Sequence, residues 1–288
     1  MKRLYGVIGF PVSHSLSPLF QQAAFDSVGL DAAYVPFEIP PERLEEALEA
    51  MSLFGVQGFN VTLPHKESVY RWVSSRDPVA ERAKSVNAVV LKGSSWHGTN
   101  TDVPGFRSVF DLFLKRTGKT IPENPLVFGA GGSGRSVVLA LLESGVTRLT
   151  IANRSLERAE HLRGELQWIR PESVINVAGL SVLEEEDAAF DYVINTLSRN
   201  AFGEDFPPLS NINVQSVLGM MDLSYRPDGG ATPFLAHGID RGIPVEDGLP
   251  MLLEQGAMSF EVWTSRPAPR KAMSAAIEKR LGRPVLWR

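Results

Sequence analysis

The sequence predicts an α/β protein of two domains, and three observations carry that prediction. Its 288 residues exceed one ordinary domain. Short apolar runs with the length of buried strands alternate with stretches of helical period, the pattern that lays crossover helices over a parallel sheet. In the middle of the chain, VFGAGGSGRSVVLALLESG (127–145) turns a strand-like run through glycines into an apolar helix.

In the first third, LYGVIG (4–9) and YVPFEI (34–39) read as strands, with Leu19, Ala23 and Ala24 lining a helix between them. Pro41 opens a second helix that repeats Leu44, Ala47, Leu48 and Met51 at i, i+3, i+4, i+7. VQGFNVT (56–62) is a third strand, and NAVVLKGSSWHGTNT (87–101) a hairpin turning at Gly93-Ser94-Ser95. After Asp102, an apolar stripe of Phe106, Val109, Phe110, Phe113 and Leu114 runs into KRTGKT, a basic, glycine-marked helix end. A second α/β series follows: PLVFGA (125–130), RLTIAN (148–153), SVINV (173–177), DYVIN (191–195), SVLGMMDLS (216–224) and IPVED (243–247). Two helices, 249–264 and 268–281, close the chain.

The residues are 43% apolar and 22% charged, the balance of a globular protein with a real core. Basic residues number 29 against 33 acidic, a net charge of −4 without long runs of one sign, which argues against nucleic acid or an anionic membrane as partner. The absence of cysteine excludes disulfides, thiolate metal sites and a cysteine nucleophile, and fits a reducing compartment. The apolar stretch of MKRLYGVIGFP is short, holds two glycines and stops at Pro11, a poor secretory signal. No run approaches the ~18 apolar residues of a membrane helix. The expected location is cytoplasmic.

Gly129, Gly131 and Gly134 match G-x-G-x-x-G in its required strand–turn–helix setting. The turn Gly129, Ala130, Gly131, Gly132, Ser133 and Gly134 would let a pyrophosphate approach the backbone at the helix N-terminus. The plainer alternative is that these glycines serve packing alone. The next strand ends in Asn153 and Arg154, where an NAD enzyme offers a carboxylate to the ribose, and Arg158 follows one helical turn later. Two guanidinium groups there suit a 2′-phosphate, so the expected cofactor is NADP. Ser155 can cap the following helix, and Arg158 can be a solvated surface residue. A methyltransferase built on such a loop would want an acid at this strand end and finds none.

An enzyme that oxidises an alcohol with a nicotinamide cofactor needs a group to manage the hydroxyl proton. FNVTLPHKE (59–67) offers Lys66, and NTD (100–102) offers Asp102 beside Asn100. A lone loop lysine is commonly a solvated charge and NTD before a helix commonly a cap. His65 lacks any partner of HExxH or HxH type, and nothing supports a metal site. HSLSP (14–18) completes an alternation of Ser13, Ser15 and Ser17 before Pro18; helix cap and hydroxyl shelf for an oxygen-rich ligand both fit it.

Taken together, GFPVSHSLSP, FNVTLPHKE, SVNAV, NTD, GAGGSGR, ANRS, TPFL and EDGLPMLLEQGAMSFEVW run in order along the chain and resemble the shikimate dehydrogenases. The resemblance implies reversible NADPH-dependent reduction of 3-dehydroshikimate to shikimate, a step toward aromatic amino acids. It points to Ser15 and Ser17 for the substrate carboxylate and to Lys66 and Asp102 as the catalytic pair. It adds Thr62, Asn87, Tyr225 and Gln255 for substrate, and Gly248 of DGLP to the cofactor side. A ligand of one carboxylate and three hydroxyls does call for hydroxyl and amide partners.

The fold class implied is α/β: an N-terminal substrate domain with an open, mainly parallel sheet (1–102 with 247–288) and an inserted Rossmann-type NADP domain (103–246), the C-terminal helices returning to the first. The expected state is monomer or homodimer. Rival readings are a quinate or aminoshikimate dehydrogenase, and a dinucleotide-binding or sensing protein without turnover. Three features depart from the family's usual pattern: LSRNAFG (197–203) in place of a glycine-containing turn, Pro250 in place of glycine, and Ser224 in place of an apolar residue.

Overall fold

A computed structural model describes residues 2–180, 189–197 and 216–287. The first stretch holds β1 (Arg3–Gly9), α1 (Ser17–Ser27), β2 (Ala32–Glu38), α2 (Leu44–Leu53), β3 (Val56–Val61), α3 (Lys66–Trp72), β4 (Ser75–Arg76), α4 (Pro78–Ala83), β5 (Ala88–Lys92) and β6 (Ser95–Thr99). Then come α5 (Asp102–Thr117), β7 (Leu126–Phe128), α6 (Gly132–Glu143), β8 (Arg148–Ala152), α7 (Leu156–Leu166), β9 (Val174–Ala178), β10 (Tyr192–Asn195), β11 (Gly219–Asp222), α8 (Pro233–Ile239) and β12 (Val245–Glu246). Helices α9 (Leu249–Thr264) and α10 (Arg270–Leu281) end the chain. Two compact units result: Met1–Gly105 with Leu252–Trp287, and Phe106–Met251. The chain passes from one to the other inside helices, first α5 and then α9.

In the first unit the strand order is β2-β1-β3-β5-β6-β4. β1 runs parallel to β2 and β3, β5 is antiparallel to β3 and β6, and β4 is parallel to β6. One core gathers Ile8, Val56, Phe59, Val69, Val89 and Trp96. Elsewhere Tyr5, Phe25, Phe260 and Trp263 form a chain of ring contacts that seats α9. Gly58 makes room for this helix: a Cβ there would lie 2.5 Å from the Trp263 ring. The same indole donates to the Val89 carbonyl at 2.9 Å, so its polar edge is satisfied where its rings are buried.

In the second unit all six strands are parallel, in the order β12-β11-β10-β7-β8-β9. β7 lies between β8, which follows it in sequence, and β10, which begins the other half, so the chain reverses its direction of travel across the sheet there. Leu126, Phe128, Val193, Met220 and Phe234 fill the core. Arg116 of α5 pairs with Glu246 of β12.

The two-domain α/β expectation is borne out in type, and the elements differ in detail. SVLGMMDLS contributes a strand of only Gly219–Asp222, because its ladder to β10 ends where Tyr192–Asn195 ends. IPVED pairs over Val245 and Glu246 alone. α3, α4 and α8 are helices that apolar periodicity leaves unread, being one or two turns long. α4 and α8 are held instead by side-chain caps: Asp77 accepts from the Ala80 N–H, and Thr232 from the Leu235 N–H, each ahead of a first-turn proline. Among the described residues no helix is long and apolar enough to cross a membrane.

Candidate active site

The polar residues of the first unit gather at one end of its sheet. β1 and β3 finish there, and antiparallel β5 begins beside the end of β3, with the Val61 N–H donating to the Asn87 carbonyl at 2.9 Å. Lys66 stands in no loop: it is the first residue of α3, buried, and its Nζ lies 2.6 Å from Asp102 Oδ2 at the start of α5. The side chains of this pair are 10% and 6% exposed. Asn87 Nδ2 donates to the other carboxylate oxygen of Asp102 at 2.8 Å. Asn87 Oδ1 in turn accepts from the Thr101 N–H at 2.7 Å. Asp102 is thereby bound on both oxygens and cannot swing, which is what holding one lysine at one place requires.

Gln255 of α9 brings Oε1 to 3.3 Å from the same Asn87 amide, a long contact that leaves the oxygen open to a better donor. Its own Nε2 donates to Leu252 O at 2.7 Å. Gly105 lets α9 come this near, since a Cβ on it would stand 3.2 Å from Gln255 Cβ. Thr62 follows β3 directly, half-buried, its N–H donating to Ile8 O at 2.9 Å. Asn100 takes the capping part: its Oδ1 accepts from the Val103 N–H at 3.1 Å. His65 is buried with Nε2 2.7 Å from Ile39 O, and burial lowers its basicity, so it serves structure. Among the described residues no group of three or more His, Asp or Glu could hold a metal ion.

The serine question divides between two residues. Ser15 Oγ accepts from the Ser17 N–H at 3.2 Å, a local bond at the helix entry, while α1 itself begins with no side-chain cap at its boundary residue Leu16. Ser17 is 5% exposed and its hydroxyl bonds the buried Tyr34 phenol. Capping thus accounts for one lone pair of Ser15 and leaves its proton unassigned.

In the second unit the glycine-rich turn leaves β7 at the point where the sheet order reverses. Its glycines have different causes. Gly129 has φ +106° and a Cβ would lie 2.4 Å from Thr196 Oγ1, whereas a Cβ on Gly134 would lie 2.0 Å from Gly129 O. Gly131 is exposed with nothing within 4 Å of a Cβ, so no protein contact requires it. Gly132 and Ser133 begin α6, and the Ala130 N–H donates to Asn153 Oδ1 at 3.3 Å, tying the turn to the end of β8. Arg154 and Arg158 are exposed, and among the described residues neither guanidinium has a partner. Ser155 caps α7, accepting from the Arg158 N–H at 3.4 Å. An open glycine, a helix N-terminus and two free guanidinium groups fit a dinucleotide with a 2′-phosphate. Gly248 is explained within the protein, because a Cβ would lie 2.1 Å from Leu223 O.

Tyr225 belongs to this second unit, half-buried after β11. Ser224 beside it uses its polarity: its Oγ donates to Leu197 O at 3.1 Å. Pro250 sits in the first turn of α9, where no N–H is missed, after Asp247 Oδ1 has accepted from the Leu249 N–H at 3.0 Å. Of LSRNAFG, residues 198–203 lie outside the described residues. Asp222, unread in the sequence, closes this end of the sheet. Thr232 Oγ1 donates to it at 2.6 Å, Asn195 Nδ2 and the Ser224 N–H each at 2.9 Å. Burial, with Asp247 nearby, pushes its carboxyl up to about 6 despite those bonds. The signal available was an acid ending an apolar strand.

Comparison with known proteins follows this layout. Residues 7–89 match the "Shikimate dehydrogenase substrate binding domain", 111–202 match "Shikimate / quinate 5-dehydrogenase" and 248–278 match "Shikimate 5'-dehydrogenase C-terminal domain". The shikimate dehydrogenase (NADP(+)) of Geobacter sp. (strain M21) is 36% identical over 286 residues, 98% of this chain and 97% of that protein. That of Moorella thermoacetica is 37% identical over 282 residues, 97% of this chain and 94% of that protein. Among solved structures, a shikimate dehydrogenase in complex with NADP+ superposes with a TM-score of 0.84 at 29% identity, covering 97% of this chain and 96% of that one. The Thermus thermophilus enzyme with NADP(H) and shikimate gives a TM-score of 0.78 at 33% identity, covering 97% and 100%.

The two kinds of glycine should separate on mutation. Gly134→Ala lowers the thermal stability of the protein by more than about 2 kcal/mol, whereas Gly131→Ala melts like the wild type and weakens NADP binding about tenfold or more in a fluorescence titration. Asp222 makes a pH prediction. The folded protein holds its proton at about 6 against 3.8 for the free side chain. Its contribution to stability is therefore fullest below about pH 4 and is lost, to the extent of about 3 kcal/mol, as pH rises through about 6. Melting of Asp222→Asn beside the wild type should show the difference shifting in the variant's favour over that window; a pH-independent difference would contradict the assignment.

Proposed function

The chain belongs to the shikimate dehydrogenase family, and from that premise we propose that it interconverts 3-dehydroshikimate and shikimate with NADP(H). The observation that carries the reading is the buried Lys66–Asp102 contact of 2.6 Å, among neutral hydroxyl and amide groups. A protein that merely bound a dinucleotide would have no work for a desolvated proton-handling pair. When bound, NADPH supplies the hydride that reduces the substrate carbonyl.

This chain's residues do the rest. Lys66 Nζ exchanges a proton with the oxygen of the reacting carbon, giving it as the carbonyl becomes a hydroxyl and taking it in reverse. Asp102 Oδ2 keeps the amine in place, and Asn87 keeps Asp102 in place. Ser15 receives the substrate carboxylate through its hydroxyl proton, and Ser17 joins it by exchanging its bond to Tyr34 for one to the carboxylate, which suffices without an arginine. Thr62, Asn87, Gln255 and Tyr225 bond the substrate's hydroxyls or carboxylate, and the second unit takes the cofactor. There the turn from Gly129 to Gly134 cradles the pyrophosphate beside Asn153, and Arg154, Arg158 and the Ser155 hydroxyl take the 2′-phosphate. Gly248 borders the cofactor through its backbone.

NADPH absorbance, followed with shikimate, quinate and a blank, tests the activity and its substrate range. Lys66→Met should lower kcat at least about 100-fold while moving the shikimate KM little; near-normal turnover would remove Lys66 from the chemistry. Arg154→Ala should shrink the ratio of kcat/KM for NADP over NAD by about tenfold, the worth of one charge-assisted contact; an unchanged ratio would reassign the 2′-phosphate site.

A further inference from the structure

Behind the substrate residues runs a second line of buried polar groups to which the proposed reaction gives no role, joined to the site at its head by the Tyr34–Ser17 bond. Tyr34 in β2 is 5% exposed, Asn60 in β3 is 5% exposed, and Ser259 in α9 is fully buried. Tyr34 Oη donates to Asn60 Oδ1 at 2.8 Å. Asn60 Nδ2 donates to the Asn87 carbonyl at 3.0 Å and to Ser259 Oγ at 2.8 Å. Ser259 Oγ donates to the main-chain carbonyl of Gln255 one turn earlier in α9 at 2.9 Å. Four elements that supply or flank the site, β2, β3, the entry to β5 and α9, are joined by one set of bonds.

The direction of these bonds is forced. The Asn87 carbonyl can only accept, so the amine of Asn60 must face it and the amide oxygen of Asn60 must face Tyr34. Tyr34 is then obliged to donate. Burial drives its phenol well above its ordinary range, so it keeps that proton at any working pH. Ser259 accepts from Asn60 and gives its own proton to the Gln255 main-chain carbonyl at 2.9 Å, with Thr101 Oγ1 farther off at 3.4 Å. Alternative rotamers of these groups would leave a buried donor facing a donor, which costs about 1–3 kcal/mol each time. The line so ordered at Asn60 holds the main chain of β5 at Asn87 against β3 and ties α9 to the same point.

We propose that Tyr34 and Ser259 are positioning residues, which through Asn60 fix the backbone at Asn87 and hold α9 beside it, so that the Asn87 and Gln255 side chains meet the substrate's hydroxyls. The proposal rests on the shikimate reading of the site. Tyr34→Phe strips the donor from Asn60 and frees its amide to turn; Ser259→Ala removes the link to Gln255 and keeps the volume close to that of serine.

Steady-state kinetics on both variants carry the test. Each should raise the shikimate KM about five- to tenfold, leave the NADP KM unchanged and lower kcat less than threefold. In an Asn87→Ala background the effect of Tyr34→Phe on KM should shrink to what its bond to Ser17 contributes, because the route through Asn60 is already cut. A purely architectural tyrosine would act equally in both backgrounds and move both KM values. Wild-type turnover of shikimate decides the functional reading on its own. The positioning line is also read without substrate, in hydrogen exchange of the Thr101 amide, whose acceptor is Asn87 Oδ1 at 2.7 Å. Faster exchange at Thr101 in Tyr34→Phe supports the line; wild-type exchange together with wild-type KM overturns it.

Discussion

A charge taken out of water must be answered on every side, and the site of the first unit is organised around that demand. Lys66 and Asp102 are both buried, each a large desolvation cost that their mutual attraction offsets only with further bonds in place. Asn87 supplies the bond to the second carboxylate oxygen, and Asn87 is itself held by the Thr101 N–H and by Asn60. The requirement spreads outward from one contact until it reaches backbone carbonyls, where it ends. Three segments, the start of α3, the approach to β5 and the start of α5, have to arrive together for the pair to exist.

The second unit obeys a different constraint, the approach of backbone to backbone. Gly134 stands so near the Gly129 carbonyl that no side chain fits, and Gly248 stands likewise against Leu223. These contacts pull α6 down onto β7 and bring the loop after β11 against the approach to α9. Gly131, left in the open, is the one glycine of the triplet that no contact within the protein requires.

Sequence patterns gave away the elements that are long or repeated: the glycine turn in its strand–helix setting, the apolar stripe of α5 and the bounds of α9. Residues marked by a chemical oddity were legible too, such as Arg154 where an acid is usual. The short helices were not, since seven residues make too few turns for periodicity to show. Lys66 read as a loop lysine for this reason; its burial depends on α3, and α3 on the entry from β3. Asp222, Tyr34 and Ser259 were invisible because their importance comes from partners in other elements. An isolated serine in an apolar helix reads the same whether or not an asparagine from 199 residues away donates to it.

The unit boundaries impose an order on biosynthesis. The second unit is one unbroken stretch, whereas the first needs both ends of the chain. As a ribosome emits the protein, β1 to β6 emerge early and must wait for α9, roughly 10 to 30 s later at ordinary elongation rates. During that interval Tyr5 and Phe25 have no Trp263 or Phe260 to lie against, and Asn60 has no Ser259. The last segment extends the delay, because Trp287 Nε1 donates to the buried Glu254 at 2.7 Å, next to Gln255. The aromatic face of the first unit can therefore close only after the whole of the inserted unit has been made.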